Sequence, residues 1–355
     1  MVDESQRRTR RVRYQGAHPR RFQEKYKELA PERHPLEAAK VLARGDTPAG
    51  THRPICVQEV LEVLAPQPGE VGVDATLGFG GHAQEILPRL LPRGRLFGID
   101  IDPVELPRAE ARLRGLGFSE EVLLVRRMNF AGLPQLLPLA GGGVDFVLAD
   151  LGVSSMQLDD PARGFTYKVE GPLDLRLNPA RGMPASALLP VLSEEALADL
   201  LVENADEPHA WAIARALHGR PVATTTELAA LVRRALRAAF PDATRPDEMR
   251  KALQRTFQAL RIAVNDEFRA LEQFLSLLPE CLNPGGRVAI LSFHSGEDRR
   301  VKKAFQQGLR TGGYERVAPD PIRPSGAERR ANPRSSSAKL RWAVKATGAR
   351  AVAGS

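Results

Sequence analysis

Val73-Asp74-Ala75-Thr76-Leu77-Gly78-Phe79-Gly80-Gly81-His82 is the stretch on which the fold turns. It reads as the end of a strand, a glycine turn and the opening of a helix, an order that lets the backbone approach a ligand above the carboxyl edge of a sheet. Gly78-x-Gly80-x-x-Ala83 also fits the dinucleotide fingerprint, and Asp100 follows about twenty residues later, where an acid would hold ribose hydroxyls. On the loop alone, NAD and S-adenosylmethionine are nearly equal candidates, and a purely structural glycine turn is a third reading. No GxxxxGK[ST] occurs, which disfavours a P-loop nucleotidase.

Outward from the loop, short apolar runs alternate with helical patterns, the signature of a parallel sheet flanked by helices. Strands are expected at 71–76, 95–101, 122–126 and 144–150, with a fifth at 287–293. Phe257, Leu260, Val264, Phe268, Leu271, Leu275 and Leu278 recur at spacings of three and four, which predicts one long helix stopped by Pro284-Gly285-Gly286. Between Met156 and Arg255 only helical patterns are found. Thr224 and Glu227 form a capping-box pair, and Pro208 and Gly219 bracket the helix holding Trp211. The expected architecture is α/β, a Rossmann-like sheet carrying an inserted all-helical domain. Residues 51–155 and 256–346 make the sheet domain, and 156–255 make the insertion. A basic extension (1–50), with a short helix near Arg21–Glu28, and a tail (347–355) flank them.

The formal charge is +8 over 355 residues, and it is concentrated at the ends. Residues 1–21 hold seven arginines against Asp3 and Glu4, and residues 320–355 hold eight Lys and Arg against Asp320 and Glu328, so the middle of the chain is net negative. Such tails suit phosphate backbones, although solvated tails that aid solubility have the same composition. No run of about 18 apolar residues occurs and the first residues lack a secretory apolar segment, so a cytoplasmic protein without a membrane span is expected. Cys56 and Cys281 stand far apart outside any metal-ligand spacing, so buried thiols and no metal are expected.

Two acids tilt the cofactor reading toward S-adenosylmethionine. Asp74, at the first strand's end, is suited to the ammonium of a methionine moiety, a group NAD lacks. The fourth strand ends in Asp150-Leu151-Gly152-Val153-Ser154-Ser155, a polar cluster on the same carboxyl edge where a substrate amine would lie.

Together with VDATLGFGGHA, the motifs GIDIDP, DLGVSSMQLDDPARGF, GPLDLR, RTFQALRIAVNDE, GGRVAILSFHS and NPRSSSAKLR occur in this order between His52 and Val344. In them the chain resembles the bacterial ribosomal RNA small-subunit methyltransferase H family. The resemblance implies N4-methylation of one cytidine in the decoding region of 16S rRNA, with S-adenosylmethionine as donor and the rRNA, within a small-subunit particle, as partner. Carried over, it assigns cofactor contacts to Gly80, Gly81, His82, Asp100, Phe130, Asp150 and Gln157, beside Asp74 and Gly78 from the loop itself. The chain departs from the family at Gly296, where SFHSLED is usual and SFHSGED stands here, and its Arg-rich extension lies outside the usual core.

Cytosine's exocyclic amine is a poor nucleophile because its lone pair is delocalised into the ring, so a site must accept hydrogen bonds from it. Asp150 and the Leu151 carbonyl are the expected acceptors, much as in the DPPY motif of other amino-methyltransferases. The motif's aromatic is missing, which leaves Phe165, Tyr167 and Phe293 as stacking candidates. His294 and Ser295 are expected to orient the base or phosphate, completing a catalytic set with Asp150. An NAD(P)-dependent oxidoreductase and a non-catalytic rRNA-binding assembly factor are the competing functions.

Overall fold

The computed structural model describes residues 54–240 and 246–348. The extension, its expected short helix and the end of the tail lie outside them. In chain order the elements are α1 (Val57–Leu64), β1 (Val71–Asp74), α2 (Gly81–Leu90), β2 (Arg95–Asp100), α3 (Glu105–Gly115), β3 (Leu123–Arg127), β4 (Val144–Asp150), α4 (Ser155–Asp159), α5 (Glu194–Ala205), α6 (Ala210–Leu217), α7 (Thr225–Ala239), α8 (Pro246–Asn265), α9 (Glu267–Cys281), β5 (Leu282–Ser292), α10 (Ser295–Arg310), β6 (Tyr314–Val317), α11 (Gly326–Ala331) and β7 (Lys339–Lys345). The seven strands form one sheet in the order β3-β2-β1-β4-β5-β7-β6. β1 to β5 are parallel, and β7 and β6 close one edge antiparallel.

Successive strand residues face opposite sides of a sheet, and here both sides are buried. Phe146 and Leu148 pack into the core under α1, α2 and α3. Val147 and Ala149 pack into the other, with Phe274 and Leu278 of α9. Burial on both faces explains why these strands read as continuous apolar runs. At the centre, the ring of Phe146 lies across Gly72, where a β-carbon would come within 2.0 Å of Cζ.

A third apolar cluster, from Phe165 to Leu260, is built from α5, α6, α7 and α8 without a strand of its own. Because α8 runs through residue 255, Phe257, Ala259 and Leu260 pack with this cluster. The long helix read from the apolar spacing is two. Asp266 adopts a left-handed conformation (φ 51°), and Asn265 is held in place by accepting from Leu177 N and donating to the carbonyls of Leu175 and Arg261. The break lets Phe257 and Leu260 serve the helical cluster while Leu271 to Leu278 serve the sheet. Pro284-Gly285-Gly286 does not stop a helix but lies inside β5, where the pairing with β4 shifts register.

Candidate active site

The carboxyl ends of β1, β2 and β4 open into a cavity of about 850 Å³, walled on the far side by the loop Phe165–Lys168 and by α8 and α9. On the near side is the glycine loop. Leu77 N donates to Ile99 O at 2.9 Å, Gly78 N donates to Asp100 Oδ2 at 2.9 Å, and Arg112 clasps the Phe79 carbonyl with Nε and Nη2. Gly78 and Gly80 have φ of 49° and 73°, where side chains are rarely tolerated, and at Gly80 a β-carbon would also meet Leu113 Cδ1 at 2.7 Å. The turn thereby brings backbone to the cavity and starts α2 at Gly81, with the positive end of its dipole at the ligand side.

Five acids surround the loop. Asp100 receives Gly78 N on one oxygen and Asp102 N on the other, and burial pushes its carboxyl up. Asp102 is fully buried, and it accepts from Gln157 Nε2 at 2.7 Å and Arg163 Nη1 at 2.8 Å. Burial raises Asp74 to about 7. Asp150 is raised to about 8 by burial and by the neighbouring Asp74 and Glu297. Its Oδ1 has no hydrogen-bond partner, while Oδ2 lies 3.7 Å from His82 Nδ1. His82 Nε2 is 3.0 Å from the Ile55 carbonyl, which can only accept, so Nε2 carries the proton and Nδ1 faces Asp150 as a lone pair. Burial lowers His82 to about 4, which keeps the ring neutral. Glu297 takes the Phe293 N–H on Oε2 and stands 3.1 Å from His294 Nε2 through Oε1. Burial by itself pushes Glu297 up, but His294, Arg261 and that N–H together hold it below the usual range.

The model of the MraW methylase family matches residues 49–346, most of the chain. The chain belongs to that family. A relative from Alkaliphilus metalliredigens, named Ribosomal RNA small subunit methyltransferase H 2, is 54% identical over 351 residues, covering 98% of this chain and all of its own. One from Lachnoclostridium phytofermentans, named Ribosomal RNA small subunit methyltransferase H 1, is 49% identical, covering 95% of this chain and 93% of its own. One from Heliobacterium modesticaldum is 42% identical but covers only 83% of this chain. The alignment to the first takes in most of residues 1–50, so the extension, read as lying outside the family core, is shared by some relatives. A solved methyltransferase from Aquifex aeolicus matches at 11% identity and a TM-score of 0.37, covering 86% of this chain and 97% of its own.

For an MraW methylase the cavity is the place to look, and most residues singled out in the sequence line it: Gly78, Gly81, His82, Asp100, Phe130, Asp150, Gln157 and His294. Asp74 and Gly80, also singled out, are buried and do not line it. Phe130 opens the short helical turn that follows β3 and meets Phe274 edge-to-face with ring centres 5.1 Å apart. Gln157 has no amide atom free, since Oε1 accepts Ser154 N and Nε2 donates to Asp102. It therefore staples the β4 loop to the β2 loop. Ser295 is not brought to the cavity. Its hydroxyl donates to Asp206 Oδ2 at 2.9 Å on the exterior, where Arg299 also holds Asp206, so it ties α10 to the helical cluster. All three candidate aromatics line the cavity: Phe165, Phe293 and Tyr167, whose ring packs on Phe257 at 5.3 Å. At Gly296 the ring of Phe268 fills the space a larger residue would need, since a β-carbon there would come within 2.5 Å of Cζ.

Glu105, Arg261 and Glu297 line the cavity and were not singled out from the sequence. Glu105 Oε2 has no partner, and burial raises its carboxyl to about 7. Arg261 is fixed by a two-pronged pair with Glu267. All three sit on helices, where a charged residue has the same look in sequence as an ordinary surface charge. Among the described residues, one grouping has metal-ligand types, Cys56, Glu59 and Glu328. Its thiol is pushed up to about 12 by burial, which opposes the thiolate a metal needs.

Proposed function

We propose that this methylase transfers a methyl group from S-adenosylmethionine to N4 of a cytidine in the decoding region of small-subunit rRNA. The observation that carries the reading is Asp150, a carboxylate at the end of β4 that lines the cavity across from the glycine loop and keeps one buried oxygen without a hydrogen-bond partner. The names of the relatives support the substrate class.

The residues present fit the donor. Left-handed glycines let backbone approach it, Asp100 ends β2 with lone pairs left for ribose hydroxyls, and the acids Asp74 and Asp150 suit its cationic end. The donor supplies a methyl group on a sulfonium, electrophilic enough to need no metal. The protein's part is to hold the amine in line and to stabilise charge as it develops. The Asp150 carboxylate and the Leu151 carbonyl accept the two amine hydrogens and so localise the nitrogen lone pair. As the nitrogen becomes cationic the charge-assisted bond to Asp150 strengthens, and Asp150 is the acceptor for the proton the product amine must shed. His82 Nδ1, neutral and facing Oδ2, keeps an acceptor beside that carboxyl. An aromatic among Phe165, Tyr167 and Phe293 supports the base, which is splayed from its stack to enter. The helical cluster from Phe165 to Leu260 is the substrate-facing domain in this reading.

The test is single-turnover transfer of labelled methyl to small-subunit particles from cells lacking the enzyme, at saturating donor. Wild-type protein labels the rRNA, and Asp150→Ala remains folded but loses roughly 10²–10³ in rate. Near wild-type transfer by the variant moves the acceptor role to His294.

A further inference from the structure

The outer face of α7 is an arginine ridge. The helix buries Leu228, Ala229, Val232, Ala235 and Leu236, and the opposite side carries Arg233, Arg234 and Arg237 around a shallow depression floored by Ala230 and Ala238. Several other arginines of the helical cluster are paired, among them Arg215 with Glu194 and Arg250 with Asp247. Among the described residues none of the three ridge arginines has a carboxylate within ion-pair distance. Three guanidinium groups on one face repel each other, so they are a standing electrostatic cost unless an anion is expected there.

The ridge is physically joined to the cavity. The loop that supplies Thr166, Tyr167 and Lys168 to the cavity wall runs on to dock against the first turn of α7. Thr225 N donates to Gly171 O, Thr225 Oγ1 to Val169 O, Thr226 Oγ1 to Glu170 Oε2, and Leu173 N to Ala223 O. Tyr167 lies at the junction, where the charges of Arg233 and Arg250 act on its hydroxyl against the effect of burial. Arg233 and Arg237 are one turn apart, about 6 Å along the axis, which is comparable to the separation of successive phosphates on one strand.

We infer that Arg233, Arg234 and Arg237 grip the phosphate backbone of the rRNA strand beside the target nucleotide, so that the strand lies along α7 while the base enters past Tyr167. The inference rests on the proposed rRNA substrate. Guanidinium forks suit phosphate oxygens, and contacts of this kind fix register without reading sequence.

The probe is an rRNA transcript spanning the decoding region, with the intact small-subunit particle beside it, titrated over a range of salt concentrations. The triple variant Arg233→Gln, Arg234→Gln, Arg237→Gln should bind the transcript roughly 10- to 100-fold more weakly at 0.1 M salt. The slope of log K against log salt should fall in magnitude by about 2, since each single-strand phosphate contact contributes about 0.7. The corresponding triple lysine variant should recover most of the affinity. Donor binding, measured by calorimetry, should be unchanged in both and so reports that they are folded. A glutamine variant with wild-type affinity and slope overturns the inference. So does a lysine variant as weak as the glutamine one, or a defect seen with the particle and absent with the transcript, which would assign the ridge to a ribosomal protein. Wild-type protein that transfers no methyl to any rRNA refutes the proposed function instead, and leaves the binding comparison to judge the ridge separately.

Discussion

Replacing Asp150 by Asn should make the free protein more stable and the enzyme far slower. The Asp150 carboxyl moves from its ordinary 3.8 to about 8 because burial and the charges of Asp74 and Glu297 oppose its ionisation. A raised acid in the native state costs nothing below the unfolded value, and costs progressively more as pH climbs through the interval to the native value. About four units at 1.36 kcal/mol each would bound the cost near 5–6 kcal/mol. However, 28% of the side chain is open to the cavity, where water screens the charge, so about 1–2 kcal/mol is the expected gain. Asn keeps the shape and cannot ionise. Denaturant unfolding of both proteins in the absence of donor should therefore show a small difference near pH 4 that grows with pH and levels off above about pH 8. The same variant should lose about 10²–10³ in single-turnover rate, because a neutral amide cannot strengthen its bond to a developing cation. A stability difference independent of pH, together with near wild-type transfer, would refute both the electrostatics and the role assigned to Asp150.

Asp100→Ala should weaken donor binding by about 10- to 100-fold, since a charged acceptor for hydroxyls contributes roughly 1.5–3 kcal/mol; an unchanged dissociation constant in calorimetry removes it from the site. Binding of a cationic donor beside Asp74 and Asp150, raised to about 7 and about 8, should draw both toward the ionised form. Protons are then released and affinity climbs between about pH 6 and pH 8, which calorimetry in buffers of different ionisation heat will register; binding with no proton release contradicts it. Gln157→Ala should cost about 1–2 kcal/mol of stability by leaving Ser154 N and one bond to Asp102 unmade, and should weaken donor binding without changing the single-turnover rate at saturation. A variant slow even at saturating donor would give Gln157 a direct part in transfer.

The loop from Val73 to His82 was legible because strand, glycine turn and helix each leave a local mark, and Asp100 and Asp150 were legible because they end strands. The break at Asp266 was not, because the apolar spacing stays in phase across it while the two halves face different cores. β6 and β7 were also missed, since β6 has only four residues and both join the sheet antiparallel at its edge by pairing with partners distant in sequence. In the site, the sequence pointed to Gln157 and Ser295 as functional positions but could not show that their polar atoms are already engaged, one inside the wall and one on the exterior. Glu297 and Glu105 escaped notice for the converse reason: a helix-surface glutamate and a buried one look alike until the elements pack.

The identity of the modified atom decides whether Asp150 works on an exocyclic amine. Small-subunit rRNA from cells lacking this enzyme, incubated with the purified protein and isotopically labelled S-adenosylmethionine, should be digested to nucleosides and resolved by mass spectrometry against standards. Transfer to the exocyclic amine leaves label in N4-methylcytidine alone, recovered from the decoding-region fragment and absent when the Asp150→Asn protein is used for the same short reaction time. Label in 5-methylcytidine, in a ribose methyl or in any other base would contradict it.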